Sequence, residues 1–205
     1  TVSDCTISYI SANQCIYRWG SNYNTFEYNE LYSFICGGIM TNEGGNRTTL
    51  EESHNVVRNN YVHDFGHPSY FSSSGGIILW NSVGSVAENN ILENGVHGGI
   101  VFGGVDNVIQ YNIVNNMVSN TKDYGAVYGG GVVERGNKIR YNLIMNMDTT
   151  KEAYGVYIDV CGSGQEVYGN LFYDAGDVGV LMNGGRDNYI HDNIFISKFD
   201  TEITQ

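Results

Sequence analysis

The sequence predicts an all-β fold, a right-handed parallel β-helix solenoid of about seven coils, on three observations. An Asn recurs between short β-prone segments, a Gly followed by apolar residues recurs in phase with it, and helical periodicity is absent between them. Two short strands per repeat of 22–31 residues are typical of stacked coils. We therefore expect residues 1–205 to form a single β-helix domain that is a piece of a larger protein.

The Asn repeat predicts a structural column. Its members are Asn29, Asn60, Asn90, Asn112, Asn142, Asn170 and Asn193, separated by 31, 30, 22, 30, 28 and 23 residues. A side-chain amide can hydrogen-bond to the equivalent amide on the next coil, and Asn tolerates the left-handed backbone of a tight corner. We therefore assign this column to the architecture of the fold.

The Gly repeat predicts a surface for a ligand. Aligning Gly76, Gly99, Gly125, Gly155 and Gly179 creates a glycine floor between two walls of side chains. One wall carries His97, Asp123 and Asp177, and the other carries Trp80, Asp159 and Asn183. Because glycine has no side chain, a flat sugar ring can approach such a floor closely. The aromatic rings of Trp80, Tyr124 and Tyr157 are suited to stack on the apolar face of the sugar.

Composition and charge restrict the kinds of molecule that this chain can bind. The chain has 10 basic and 22 acidic residues, a net charge of −12, and no basic cluster that could follow a phosphate backbone. We expect no nucleic-acid binding, repulsion of anionic polymers, and a neutral or weakly charged substrate. No apolar stretch is long enough to span a membrane. The four cysteines form no C-x-x-C pair, which leaves both a disulfide and reduced thiols open.

Five segments in the second half of the chain resemble a known family. They read DYGAVY at 123–128, ERGNKIRYN at 134–142, YGVYID at 154–159, CGSGQEVYGN at 161–170 and GGRDN at 184–188. These segments are similar to bacterial right-handed β-helix proteins of the pectate-lyase-like superfamily, and most similar to glycoside hydrolases such as family 141. The resemblance implies a secreted, periplasmic or cell-surface enzyme that degrades polysaccharide with two carboxylates, Asp123 and Asp159. The second Asp of the family's Asp-Asp pair is Val160 here.

Glycoside hydrolysis requires one carboxylic acid and one carboxylate, about 5–9.5 Å apart. Asp123 and Asp159 are the candidate pair, although a straight strand would separate them by roughly 20 Å. Asp177 and Glu134 are therefore alternative carboxylates. His97 is a candidate donor to a sugar hydroxyl, and Arg186 either forms a salt bridge at a corner or contacts substrate.

Two other functions remain open at this point. A polysaccharide lyase of the pectate-lyase type would need Ca²⁺ and a basic residue, whereas a hydrolase needs no cofactor and no metal site. A non-catalytic carbohydrate-binding or adhesive β-helix would need neither. Because the open ends of a solenoid expose strand edges, we expect self-association or flanking domains to cover them.

Overall fold

The computed structural model describes residues 1–11, 13–69, 75–130, 134–148, 152–197 and 203–204. Within these ranges the chain is built from strands, and it contains no helix that is long and apolar enough to cross a membrane. The strands follow one another in groups of three, one group per coil. In chain order they are β1 (Val2–Ser3), β2 (Thr6–Ser8), β3 (Gln14–Trp19), β4 (Thr25–Glu27), β5 (Glu30–Tyr32), β6 (Gly37–Asn42), β7 (Val56–Arg58), β8 (Tyr61–Phe65), β9 (Gly75–Val83), β10 (Val86–Glu88), β11 (Ile91–Gly95), β12 (Gly98–Val105), β13 (Val108–Gln110), β14 (Ile113–Asn115), β15 (Tyr124–Gly129), β16 (Lys138–Arg140), β17 (Leu143–Met147), β18 (Ala153–Ile158), β19 (Glu166–Tyr168), β20 (Leu171–Ala175), β21 (Val178–Met182), β22 (Tyr189–His191), β23 (Ile194–Ile196) and β24 (Ile203–Thr204).

Each coil contributes one strand to each of three parallel sheets. Sheet A contains the first strand of every coil, from β1 to β22, sheet B the second, from β2 to β23, and sheet C the third, from β3 to β24. Neighbouring strands in each sheet pair in parallel. Eight strands per sheet correspond to seven steps between coils, so the predicted parallel β-helix of about seven coils is confirmed.

The predicted Asn column forms a continuous amide ladder at the corner between sheets A and B. The backbone N and Nδ2 of each Asn both donate to Oδ1 of the Asn on the following coil, at 2.9–3.1 Å, from Asn29 to Asn193. All members except Asn193 are buried. The ladder therefore satisfies corner backbone groups that are not paired within a sheet.

The left-handed backbone at this corner does not fall on the ladder residues, which corrects that expectation. It falls one residue earlier, with φ of 57° at Tyr28, 57° at Tyr111 and 55° at Tyr141. The ladder Asn directs its own N–H at the next coil, so the chain turns at the residue before it. A left-handed non-glycine residue costs about 1–2 kcal/mol, which the paired amide bonds of the next residue offset.

A second amide ladder, not predicted from the sequence, lies at the corner between sheets C and A. Asn107 N and Nδ2 both donate to Asn137 Oδ1, at 2.9 and 3.0 Å. The position is occupied in successive coils by Asn24, Asn55, Ser85, Asn107, Asn137, Gln165 and Asn188. Each of these residues lies five positions before a member of the first ladder. The recurrent five-residue spacing was the signal for it.

The core consists of apolar side chains from the middle of the strands. It includes Phe26, Val57, Ala87, Ile109, Ile139 and Val167 from sheet A, Leu31, Val62, Leu92, Val114, Ile144 and Phe172 from sheet B, and Ile39, Ile77, Ile100, Val127, Val156 and Val180 from sheet C. Each fully buried aliphatic side chain stabilises the fold by about 1.5–3 kcal/mol. Because strand residues alternate between faces, these inward residues direct Tyr128 and Tyr157 outward from sheet C.

Candidate functional site

The predicted glycine floor is wrong in register at Gly125 and wrong in orientation along the column. Strand pairing places Ala126, and not Gly125, between Gly99 and Gly155. This column faces the core, since a Cβ on Gly99 would lie 2.7 Å from Val114 Cγ1. The glycines of this column therefore serve close packing of the core and do not line a groove.

The outer face of sheet C instead carries four tyrosines, Tyr124, Tyr128, Tyr154 and Tyr157, which we call the tyrosine cluster. Tyr124 stacks on Tyr128 with ring centroids 3.9 Å apart. Tyr157 meets Tyr128 edge-to-face at 5.4 Å and Tyr154 at 5.0 Å. A Cβ on Gly98 would lie 2.5 Å from Tyr124 Cε1, so a ring covers this glycine. Contacts of this kind contribute about 0.5–1.5 kcal/mol each and hold the rings in place.

Asp159 lies at one end of the tyrosine cluster, directly after β18, and its carboxylate is enclosed by donors. Oδ2 accepts a hydrogen bond from Tyr128 Oη at 2.7 Å. Oδ1 accepts hydrogen bonds from Val160 N at 2.7 Å and from Asn183 Nδ2 at 2.8 Å. The Tyr157 hydroxyl also donates to this carboxylate. These contacts fix the orientation of the carboxylate relative to the rings.

The protonation states at this end of the cluster follow from these contacts. Burial raises the pKa of Asp159, but the hydrogen bonds from Tyr128, Val160, Asn183 and Tyr157 outweigh burial and hold the pKa below its usual value. Burial, and then the charge of Asp159, raise the pKa of Tyr157 to about 12. Asp159 is therefore ionised and Tyr157 protonated at neutral pH. Such a carboxylate can accept a proton, attack, or stabilise positive charge, but it is not a proton donor.

Asp123 lies at the opposite edge of the cluster, just before β15. It is exposed and has a left-handed backbone with φ of 54°. After burial, the charge of Asp123 is the largest influence that raises the pKa of Tyr154, and it also raises the pKa of Tyr157. The negative charges of Asp123 and Asp159 thus both raise the pKa of Tyr157, which is consistent with a position on the same side of the rod.

Asp177 lies beyond Tyr154 at the start of β21. Burial raises the pKa of Asp177, and the negative charges of Glu152 and Asp148 raise it further. The charge of Asp177 also contributes to the raised pKa of Tyr154. A carboxyl group with a raised pKa retains its proton more readily, which is the property that a general acid requires.

His97 is buried and supports the cluster from behind. Its Nδ1 lies 2.9 Å from Thr121 Oγ1, which donates to Val96 O at 2.8 Å. The ring centroid of His97 lies 3.6 Å from that of Tyr124. Burial lowers the pKa of His97 to about 4, so the imidazole is neutral. His97, predicted to contact the sugar, is therefore buried behind Tyr124 and holds that ring in place.

Glu134 and Trp80 lie at the far end of the strands of sheet C. Glu134 is buried, and its Oε2 would lie 2.9 Å from a Cβ on Gly129. The Trp80 ring packs on Gly103, where a Cβ would lie 3.3 Å from Trp80 Cε3. Trp80 thus presents an aromatic surface on the same face as the tyrosine cluster, whereas Glu134 lies below that surface.

Arg186 lies at the corner between sheets C and A. Its Nε is 3.8 Å from Asp187 Oδ2, and the two side chains are 85% and 70% exposed. The Arg186 backbone N donates to Ser163 Oγ at 3.1 Å. This arrangement agrees with the salt-bridge interpretation, and a contact of Arg186 with substrate stays a prediction.

Two members of the site, Tyr128 and Tyr154, were not predicted from the sequence. Both belong to short segments in which tyrosines flank a glycine, YGAVY at 124–128 and YGVY at 154–157. The pattern was visible, but the incorrect glycine alignment assigned Tyr128 no role. Its position beside Asp159 depends on the pairing of Tyr128 with Tyr157 in adjacent strands.

Comparison with known proteins places the chain in a family. The family model NosD, described as periplasmic copper-binding protein, matches residues 38–204. This chain belongs to the NosD family. Among solved structures, this NosD-family chain is similar to XylC in complex with xylose, with 15% identity, a TM-score of 0.51, and coverage of 85% of this chain and 32% of that chain. Identity at this level shows a shared fold alone.

A second solved structure, the enzymatically active domain of tailspike protein 2 of bacteriophage CBA120, has 11% identity and a TM-score of 0.28. The matched region spans 96% of the NosD-family chain and 39% of the tailspike chain. The chain thus spans 32–39% of the length of these structures. No curated protein matches it. The parallel β-helix part of the predicted resemblance is confirmed, whereas the narrower likeness to glycoside hydrolase family 141 has no support from these matches.

The described residues do not fit the copper site that the NosD description implies. No group of three or more His, Cys, Asp or Glu side chains within the described ranges is arranged to hold a metal ion. Burial raises the pKa of Cys15 to about 12 and also raises the pKa of Cys36, so these thiols stay protonated. Copper binds the thiolate form. We therefore derive no chemistry through copper.

Proposed function

We propose that this NosD-family protein acts outside the cytoplasm on carbohydrate and hydrolyses glycosidic bonds on the outer face of sheet C. The observation that carries the proposal is the ionised Asp159 carboxylate, held by Tyr128, Tyr157 and Asn183 at the end of an aromatic cluster. Aromatic rings and oriented hydrogen-bonding groups are the two elements of sugar recognition. The periplasmic description of the family and the xylose complex of the structural neighbour are consistent with it.

In this proposal the two carboxylates have different catalytic roles. Asp159 acts as the base or nucleophile, because its pKa is lowered and it stays ionised. Asp123, on the other side of Tyr157, donates the proton to the leaving oxygen, and Asp177 is the alternative donor. The partly exposed rings of Tyr128 and Tyr154 stack on the sugar and exclude water from one side of it. Tyr157, which was predicted to stack on sugar, is buried and packs against both of these rings.

A hydrolase explains the site better than a polysaccharide lyase does. A pectate-type lyase binds an anionic substrate through Ca²⁺ and removes a proton with Arg or Lys. Lys122, a basic residue near the tyrosine cluster, pairs with Glu152, with Nζ 3.9 Å from Oε2. Its side chain is 76% exposed, so it remains in solvent and is not held as a base. The net charge of −12 also disfavours an anionic polymer.

Product analysis tests this proposal. The protein is incubated with xylan, β-glucan, galactomannan and pectate, and the products are assayed for reducing ends and for ultraviolet-absorbing unsaturated sugars. We expect new reducing ends from at least one neutral polysaccharide, without unsaturated products. Unsaturated products would identify a lyase, and binding without cleavage would identify a carbohydrate-binding protein; either result contradicts the hydrolase.

The Tyr128→Phe variant should shift the pH dependence of hydrolysis. Removing the hydroxyl takes away the hydrogen bond at 2.7 Å that lowers the pKa of Asp159, so this pKa rises. Because Asp159 must be ionised, we expect the acid limb of the kcat profile to move to higher pH by about one pH unit. Tyr154→Phe is the control, since no hydrogen bond joins Tyr154 to Asp159 among the described contacts. An unchanged acid limb in Tyr128→Phe would exclude Asp159 as the ionised group.

A further inference from the structure

A row of aromatic and amide side chains continues from the tyrosine cluster toward the first coils. Strand pairing aligns Trp19 with Asn42 and Asn42 with Trp80 on the outer face of sheet C. At about 4.8 Å per coil, the two tryptophans lie roughly 10 Å apart, and Trp80 lies roughly 14 Å from Asp159. The row therefore leads along the rod axis to the proposed catalytic carboxylate.

Asn42 is the residue in this row that indicates a ligand. Its side chain is only 7% exposed, and its Oδ1 has no hydrogen-bond partner among the described residues. A buried carbonyl oxygen without a donor costs about 1–3 kcal/mol. Buried polar atoms are therefore almost always paired with protein, water or ligand. A sugar hydroxyl supplies the kind of donor that this oxygen lacks.

The two tryptophans have the geometry of sugar platforms. The Trp80 ring packs on Gly103, where a Cβ would lie 3.3 Å from Trp80 Cε3, and the Trp80 side chain is partly exposed. Trp19 is 59% exposed, and Tyr17 meets it edge-to-face with centroids 6.2 Å apart. Exposed rings of this size are otherwise unfavourable in water, and they bind the apolar faces of sugars well.

The charge of the surrounding surface selects the ligand. The row beside the tryptophans consists of Tyr17, Met40, Ile78 and Val101, which carry no charge. Between Trp80 and the strand of Asp159, the Trp80 ring packs on Gly103, which adds no charge. Arg47 lies beside this row, where its Nη1 donates to Asn81 Oδ1 at 3.2 Å. The uncharged row itself matches a neutral polysaccharide, and the net charge of −12 disfavours an anionic one.

We propose that Trp19, Asn42 and Trp80 form a non-catalytic subsite that binds a neutral polysaccharide chain and holds it parallel to the rod axis. The inference rests on the proposed function, because it gives the substrate of Asp159 a second point of attachment. Asn42 Oδ1 accepts a hydrogen bond from a sugar hydroxyl, and the two rings stack on sugars on either side of it. The substrate is accordingly a polymer and not a disaccharide.

Affinity electrophoresis in gels containing xylan, β-glucan or galactomannan tests the subsite. We expect Trp80→Ala and Trp19→Ala each to raise the dissociation constant roughly tenfold for the polysaccharide that the wild type binds. Hydrolysis of a small aryl glycoside should be unchanged in both variants, since the rings lie coils away from Asp159. Tyr9→Ala is the matched control, because it removes a ring that is 80% exposed and follows a strand of sheet B.

Asn42→Leu separates binding from folding. If Asn42 serves the ligand, leucine weakens polysaccharide binding without lowering the melting temperature, because it replaces an unpaired buried amide with an apolar group of similar size. A lower melting temperature with unchanged binding would overturn the assignment, as would unchanged affinity in both tryptophan variants. Weakened binding in the variants without any hydrolysis by the wild type would keep the subsite and refute the proposed hydrolase. Hydrolysis of the aryl glycoside without polysaccharide binding would keep the proposed hydrolase and refute the subsite.

Discussion

Replacing the Asp159 carboxylate by an amide should lower kcat/KM for polysaccharide hydrolysis by about 10²–10⁴-fold. Asn has the same shape as Asp and keeps an oxygen that can accept the hydrogen bond from the Tyr128 hydroxyl. It carries no charge, so it cannot act as base or nucleophile. The measurement is reducing-end release over time, together with affinity electrophoresis of the same variant. Binding should be retained within a few-fold, because the rings of the tyrosine cluster are unchanged.

Asp4→Asn is the matched control for this experiment and for Asp123→Asn. Asp4 and Asp123 are both exposed and have left-handed backbones, with φ of 56° and 54°, which Asn accommodates as readily as Asp does. Asp123→Asn should reduce hydrolysis as strongly as Asp159→Asn. A loss in Asp177→Asn with full activity in Asp123→Asn would identify Asp177 as the acid. Full activity in Asp159→Asn would refute the proposed site.

The Asn112→Ala variant should have the largest effect on stability. Asn112 Oδ1 accepts hydrogen bonds from Asn90 N and Nδ2, both at 3.0 Å, and its Nδ2 donates to Ala87 O at 3.0 Å. Alanine removes these partners of Asn90 N and Ala87 O and one of the two acceptors of Asn90 Nδ2, which keeps its bond to Val57 O. Each buried group that loses its partner costs about 1–3 kcal/mol. We therefore expect the free energy of unfolding to fall by about 3–6 kcal/mol, as measured by chemical denaturation.

Asn193→Ala provides the comparison at the end of the same ladder. Asn193 is half-buried, and water can replace part of what its side chain supplies to Asn170 and Val167. The loss of stability should be clearly smaller than that of Asn112→Ala. Equal losses at the two positions would show that burial of the ladder contributes little, contrary to this account.

The Asn ladder could be predicted because its members share one chemical requirement. An amide can pair with the same amide on the next coil only if the coils are in register. Recurrence of Asn therefore predicts that the coils stack with these residues aligned. The second ladder obeys the same rule, but Ser85 and Gln165 replace Asn in two coils and obscured the pattern. The position of the left-handed corner was also missed, because the residues that adopt it include Tyr28, Tyr111 and Tyr141 and share no residue type.

The glycine column shows where sequence alignment fails. Coils of unequal length separate the glycines, and the sequence offers no means to decide whether Gly99 is paired with Gly125 or with Ala126. That single step determines which side chains of β15 lie beside those of β12 and β18. The aromatic members Tyr128 and Tyr154 of the candidate site therefore became visible only through strand pairing.

By itself, the sequence determined the parallel β-helix, because two in-phase repeats of Asn and of apolar segments can be satisfied together only by stacked coils. It also suggested Asp123 and Asp159 as candidate carboxylates, by resemblance to a family, and these roles stay a prediction. Only the tertiary structure decided that Tyr128 and Asn183 bind the Asp159 carboxylate and that these donors hold it ionised. These properties arise from distances between residues on different coils, and such distances depend on a register that the order of residues along one coil does not contain.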